Sequence, residues 1–162
     1  MNLEFPPGAL TGPGPATVLA VGSISTYRTG AVARRLPGAK MATMPGMYEA
    51  FASAWDFPSH FGANKDAFDD SIRDLPTGMH TPTGAVATGY LTVIEAADKF
   101  LAAANADDFA WFATSVDFWR EHYRSEQLGF GLVLLADSTT AGDLVARRWE
   151  AADAPLLRLR QD

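Results

Sequence analysis

The spacing of apolar residues changes along this chain, and the changes divide it into elements. Over Asp107–Arg124, Phe109, Phe112, Val116, Trp119 and Tyr123 recur at steps of three and four, which predicts a long helix with one apolar stripe. Met47, Phe51 and the pair Ala54/Trp55 keep the same period, with Pro45 suited to a first turn. A further helix is expected from the N-cap Asn64 through about Leu75, with Asp66 in its first turn, where a carboxylate favours the helix dipole. Another is expected over Ala141–Ala151. Short apolar runs read as strands at Thr17–Ile24, Ala31–Leu36, Tyr90–Ile94, Phe130–Leu135 and Leu156–Arg160. Pro and Gly crowd residues 1–16, which read as an irregular arm, and residues 74–89, which read as a long loop with room for a small hairpin. Helices alternating with apolar strands imply an α/β layer fold with a mainly parallel sheet.

Composition narrows the function. The chain has 162 residues, 48% of them hydrophobic, enough for one sizeable core. Its formal net charge of −6 disfavours direct nucleic-acid binding and anionic membranes, and favours a basic partner. With no cysteine there is neither a disulfide framework nor a thiolate metal site. The opening residues Met1–Pro7 lack the basic-then-apolar order of a signal peptide, and no apolar run approaches a bilayer span, so the expected location is the cytoplasm. His60, His80 and His122 fall at no metal-ligand spacing, and no phosphate loop, dinucleotide fingerprint or nucleophile elbow is present. No metal, no cofactor and no enzymatic activity are expected. A carboxylate-based hydrolase is the enzyme alternative, and it requires a buried carboxylate of raised pKa.

The segment after Asn64 is the most informative. At 100° per residue, Asp66, Asp69, Asp70, Arg73 and Asp74 fall on one side of a helix, and Phe68, Ser71, Ile72 and Leu75 on the other. One face packs and the other presents four carboxylates. Taken alone, such a run is ordinarily a solvated surface. On the next helix Glu121 lies opposite the apolar stripe and is expected to be exposed.

The run Asp56–Leu75, with Phe57-Pro58, Phe61-Gly62, Asn64 and Asp66-Ala67, resembles the barstar family, whose pattern is approximately Pro-x-Tyr-Tyr/Phe-Gly-x-Asn-x-Asp-Ala-Leu. The likeness reaches back without gaps to about Gly38. It continues more loosely through Val93-Ile94-Glu95, Trp119-Arg120-Glu121 and Gly131–Leu135. It implies a three-layer α/β domain over residues 31–136 with a short parallel sheet packed by helices, an N-terminal extension over 1–30 and a C-terminal extension over 137–162 packed on the same domain. It also implies an intracellular, immunity-type inhibitor of a basic secreted or toxin ribonuclease. The inhibitor covers the enzyme's active site with an acidic helix whose carboxylates stand in for RNA phosphates. Carried over by position, Asp70 is the central carboxylate, Asp66 sits one turn earlier, His60 replaces a tyrosine that covers the active site, and Glu121 replaces an acidic residue of the next helix; Asp69 and Asp74 complete the expected partner-binding set. Asp69 stands where barstar has tryptophan, Asp74-Leu75 replace Gly-Trp, Ser71 replaces cysteine, and the loop Pro76–Gly89 is longer. The alternative is an acidic module of the same fold whose basic partner is not a nuclease.

Overall fold

The computed structural model describes residues 3–58 and 61–160. In chain order the elements are β1 (Leu3–Glu4), β2 (Thr17–Val21), β3 (Ile24–Ser25), β4 (Val32–Pro37), α1 (Met44–Trp55), α2 (Lys65–Ile72), β5 (Gly89–Glu95), α3 (Ala106–Arg124), β6 (Gly129–Ala136), α4 (Thr139–Ala151) and β7 (Leu157–Arg158). Five strands form one parallel sheet in the order β4-β5-β6-β2-β7. The expected α/β architecture with a mainly parallel sheet is therefore the observed one.

Each helix starts where a side chain can satisfy its free amides. Thr43, Asn64, Asn105 and Ser138 accept from the backbone N–H three residues on, at the starts of α1, α2, α3 and α4. Helix α1 begins at Met44, earlier than its apolar period suggests. Pro45 and Gly46 fall in the first turn, where a missing donor costs nothing. Helix α2 ends at Ile72, short of the expected Leu75. The loop that follows holds the expected small hairpin, with His80 bridged to Val86, Thr81 donating to Ala85 and Ala87 donating to Met79.

The layers follow from strand alternation. Leu19, Leu36, Tyr90, Ile94, Phe130, Leu132 and Leu134 point to one face, where they meet the apolar faces of all four helices. Phe109, Phe112, Val116, Trp119 and Tyr123, the predicted stripe of α3, are all buried there. Val18, Ala20, Leu91, Val93, Val133 and Leu135 point to the other face, which carries a second apolar cluster with Phe5, Leu10 and Ile24. The layers are thus helices, sheet and the N-terminal arm.

The segments outside the family-like region are built into this architecture. Strand β2 pairs with β6 on one side and β7 on the other, so it is an inner strand. The arm lies on bare backbone in β6. A Cβ on Gly129 would sit 2.8 Å from the Cβ of Leu10, and one on Gly131 would sit 3.0 Å from Leu10 Cδ2 and 3.4 Å from Phe5 Cζ. The absence of side chains at these two positions is what admits Phe5 and Leu10. Helix α3 grips the arm from the side. Asp117 accepts from the Ala16 amide, Arg120 donates to the Ala9 carbonyl, and Arg124 donates to the carbonyls of Thr11 and Gly12.

Phe5 is 2% exposed. Phe5→Ala is expected to cost about 3–5 kcal/mol, the usual range for emptying a buried phenylalanine site. Urea unfolding monitored by tryptophan fluorescence checks this, and a loss near zero would mean that the arm does not pack on the sheet.

Candidate acidic interface

Helix α2 carries few apolar residues, and they are concentrated. Phe68 and Ile72 are buried. The Phe68 ring centroid lies 5.2–6.0 Å from those of Phe51, Trp119, Phe57, Trp111 and Tyr48. This single side chain seats the helix between α1 and α3. The first turn is pinned as well. Lys65 Nζ lies 2.7 Å from Asp108 Oδ1 in the first turn of α3, and this hydrogen bond, above all, raises the lysine pKa.

The C-terminal end is held by three side chains of α3. The Tyr123 hydroxyl donates to the Ile72 carbonyl at 2.7 Å and accepts from the Leu75 amide at 2.9 Å. His122 Nε2 lies 2.8 Å from the Arg73 carbonyl, so that nitrogen carries the proton. The Trp119 indole N–H donates to Asp69 Oδ1 at 2.9 Å. Carbonyls left free at the helix end thus find partners in α3, and the backbone turns away at Arg73.

The carboxylates divide into two kinds. Asp69 is engaged: Oδ1 takes the indole N–H and Oδ2 takes Arg73 Nε and Nη2 at 3.1 and 2.7 Å. That contact is the main cause of the raised Arg73 pKa. Asp66, Asp70 and Asp74 are exposed and spaced four residues apart. The Asp70 side chain is 79% exposed and meets Arg73 only at 3.4 Å. Of the expected helix face, Asp66, Asp69 and Asp70 lie on α2, with Asp69 turned inward as a brace, while Asp74 lies past the helix end, exposed like Asp66 and Asp70. Glu121 is exposed on α3, as the periodicity predicts, and its Oε1 lies 2.9 Å from Arg124. His60 lies outside the described residues.

A further carboxylate joins the surface without being singled out by the sequence. Asp56 caps α1 in the left-handed conformation, with φ of 57°, and lines a groove of about 380 Å³ with Trp55, Asp70, Ser71, Asp74 and Leu75. Its signal in the sequence was its place directly before Phe57-Pro58, where a helix must stop. Among the described residues, no group of three or more His, Asp or Glu side chains is arranged to hold a metal ion. None of the helices is long and apolar enough to cross a membrane.

The family model described as Barstar (barnase inhibitor) matches residues 31–135, from the edge strand β4 through α2 and α3 to β6. The chain belongs to the barstar family. Members of this family are inhibitors of a ribonuclease rather than enzymes, and they act by binding a protein partner. No curated protein matches the chain. The barstar match contains every carboxylate of the acidic surface. The inner strand β2, the arm and α4 fall outside it.

Burial holds the Tyr123 phenol protonated far above its ordinary value of 10.0, with the neighbouring Tyr90, Glu126 and Asp74 adding to the effect. The folded pKa is raised, so this contribution to stability is whole below about pH 10, the ordinary tyrosine pKa. It is lost as pH rises toward the folded value, because unfolding then releases the proton. Tyr123→Phe removes both hydrogen bonds and is expected to cost about 1–3 kcal/mol at neutral pH. The urea midpoint of the wild type should also fall more steeply above about pH 10 than that of Tyr123→Phe. Parallel slopes for the two proteins would show that the phenol titrates normally in the fold.

Proposed function

We propose that this chain is a cytoplasmic, immunity-type inhibitor of a basic ribonuclease, secreted or delivered as a toxin, and that it blocks the enzyme by laying the exposed face of α2 over the active site. The observation that carries the reading is the pair of exposed carboxylates Asp66 and Asp70 on a helix fixed at both ends, with the exposed Asp74 just past its C-terminus, inside the region that matches the barstar family. A ribonuclease site holds phosphates with Arg, Lys and His. Carboxylates one helical turn apart offer such groups successive anionic oxygens, and Arg binds a carboxylate bidentately as it binds phosphate. A fixed helix meets the enzyme with little conformational freedom left to lose.

The roles of the six residues follow from their settings. Asp70, the central carboxylate, makes the principal contact, flanked by Asp66 and Asp74. Asp69 acts by holding Arg73 in place. Glu121 contacts the partner from α3, and His60 is assigned to the interface by the family pattern alone. Glu121 must share its charge with Arg124, which lowers its worth to the partner.

An inhibition assay against barnase and the basic secreted ribonucleases of the source organism tests the reading. Inhibition at nanomolar concentration is expected. Association should slow steeply as salt rises, while dissociation changes less. Buried charge pairs at interfaces of this family's type lose roughly 2–5 kcal/mol when one partner is truncated, and Asp70→Ala should lose affinity on that scale while keeping its fold. If no ribonuclease is inhibited, the reading is overturned in favour of an acidic module with another basic partner. If Asp70→Ala inhibits as well as the wild type, the central carboxylate has been misplaced.

A further inference from the structure

Phe118 is 59% exposed on α3, four residues before His122 and three before Glu121. A single exposed aromatic residue is ordinary on a protein surface. The position of this one is not. Its ring centroid lies 5.8 Å from the Arg73 guanidinium, whose Nη2 lies 3.4 Å from the exposed Asp70 carboxylate. At 100° per residue, Glu121 falls about 60° to one side of Phe118 and His122 about 40° to the other. The His122 side is the one that meets the Arg73 carbonyl. The ring therefore stands between the carboxylates of α2 and that of Glu121, with the Arg73 guanidinium against it.

We propose that Phe118 is the apolar anchor of the partner interface, packing against the wall of the basic cleft whose cations engage Asp70. The inference rests on the reading of α2 as the inhibitory face, and the occupant it commits to is the same basic ribonuclease. Charge complementarity argues for that occupant, because an apolar spot ringed by carboxylates suits a protein surface where apolar groups border Arg and Lys. The carboxylates at the rim mainly steer the encounter, while the desolvated Asp70 and an aromatic residue beside it hold the complex once formed. Arg73 supports the ring in a fixed place. Its charge is already matched by Asp69 and Asp70, so it does little to repel a basic partner. The apolar anchor thus acts on dissociation alone, whereas the acidic surface sets association as well.

The test uses whichever ribonuclease, barnase included, the wild-type chain inhibits. Association and dissociation rates are measured for wild type, Phe118→Ala, Phe118→Glu and Asp70→Ala, with thermal unfolding as the control for folding. Phe118→Ala should dissociate roughly 10- to 30-fold faster. Its association rate and salt dependence should stay as in the wild type. Phe118→Glu adds a negative charge and yet should bind more weakly still. An exposed side chain should leave the unfolding midpoint unchanged in both variants. If Phe118→Glu associates faster and dissociates no faster than the wild type, the contact is electrostatic and the anchor is overturned. If Asp70→Ala loses binding while Phe118→Ala does not, the anchor is overturned and the acidic-helix reading stands. If the wild type inhibits no ribonuclease, both fall together.

Discussion

The capture of the α2 C-terminus by α3 is the constraint on which the acidic surface depends. Helix α2 spans Lys65–Ile72, too short to persist in water by itself. Its own charges oppose it. Asp66 and Asp70 repel each other at a spacing of four residues, and Asp69 and Asp70 sit near the end of the helix where the dipole is negative. Against this stand the ring cluster around Phe68, the Asn64 cap, and the Tyr123 hydroxyl, His122 imidazole and Trp119 indole at the far end. A row of carboxylates is displayed in fixed positions because α3 bears the electrostatic cost of displaying it.

Helix α3 serves both sides of the molecule. Trp119, His122 and Tyr123 reach α2, while Asp117, Arg120 and Arg124 reach the arm. Arg120 is almost wholly buried, and desolvation lowers its pKa, with Asp117 opposing that shift. A buried guanidinium with one carbonyl partner among the described contacts is costly, and it ties the arm's backbone to the helix that holds the acidic face. The two surfaces are mechanically continuous through one helix.

Much of this arrangement is legible in the sequence, because it depends on local periodicity. The stripe of α3, the cap at Asn64 and the two-sided character of α2 each follow from spacings within one or two turns. What escapes local reading depends on partners distant in the chain. The 100° rule puts Asp69 and Asp70 on one side of α2, yet the Trp119 indole, fifty residues on, holds Asp69 as a brace and leaves Asp70 exposed. Nothing near Thr17–Val21 announces an inner strand, because its neighbours β6 and β7 come more than a hundred residues later. Phe5 and Leu10 lie among prolines and glycines that mark an irregular path, and irregular backbone can still cover a core. His60 was legible only through the family pattern.

The seating of Phe5 and Leu10 over Gly129 and Gly131 also bears on the order in which the chain can assemble. The arm's binding place is made from β6 and α3, so it does not exist until more than a hundred residues after the arm have been synthesised. Until then Val18, Leu91 and Val93 belong to an uncovered sheet face. Closing loops of more than a hundred residues is slow compared with forming the helices and the β4-β5-β6 sheet. The arm is made before its binding place and waits for it, and in that interval the uncovered sheet face exposes the nascent protein to aggregation.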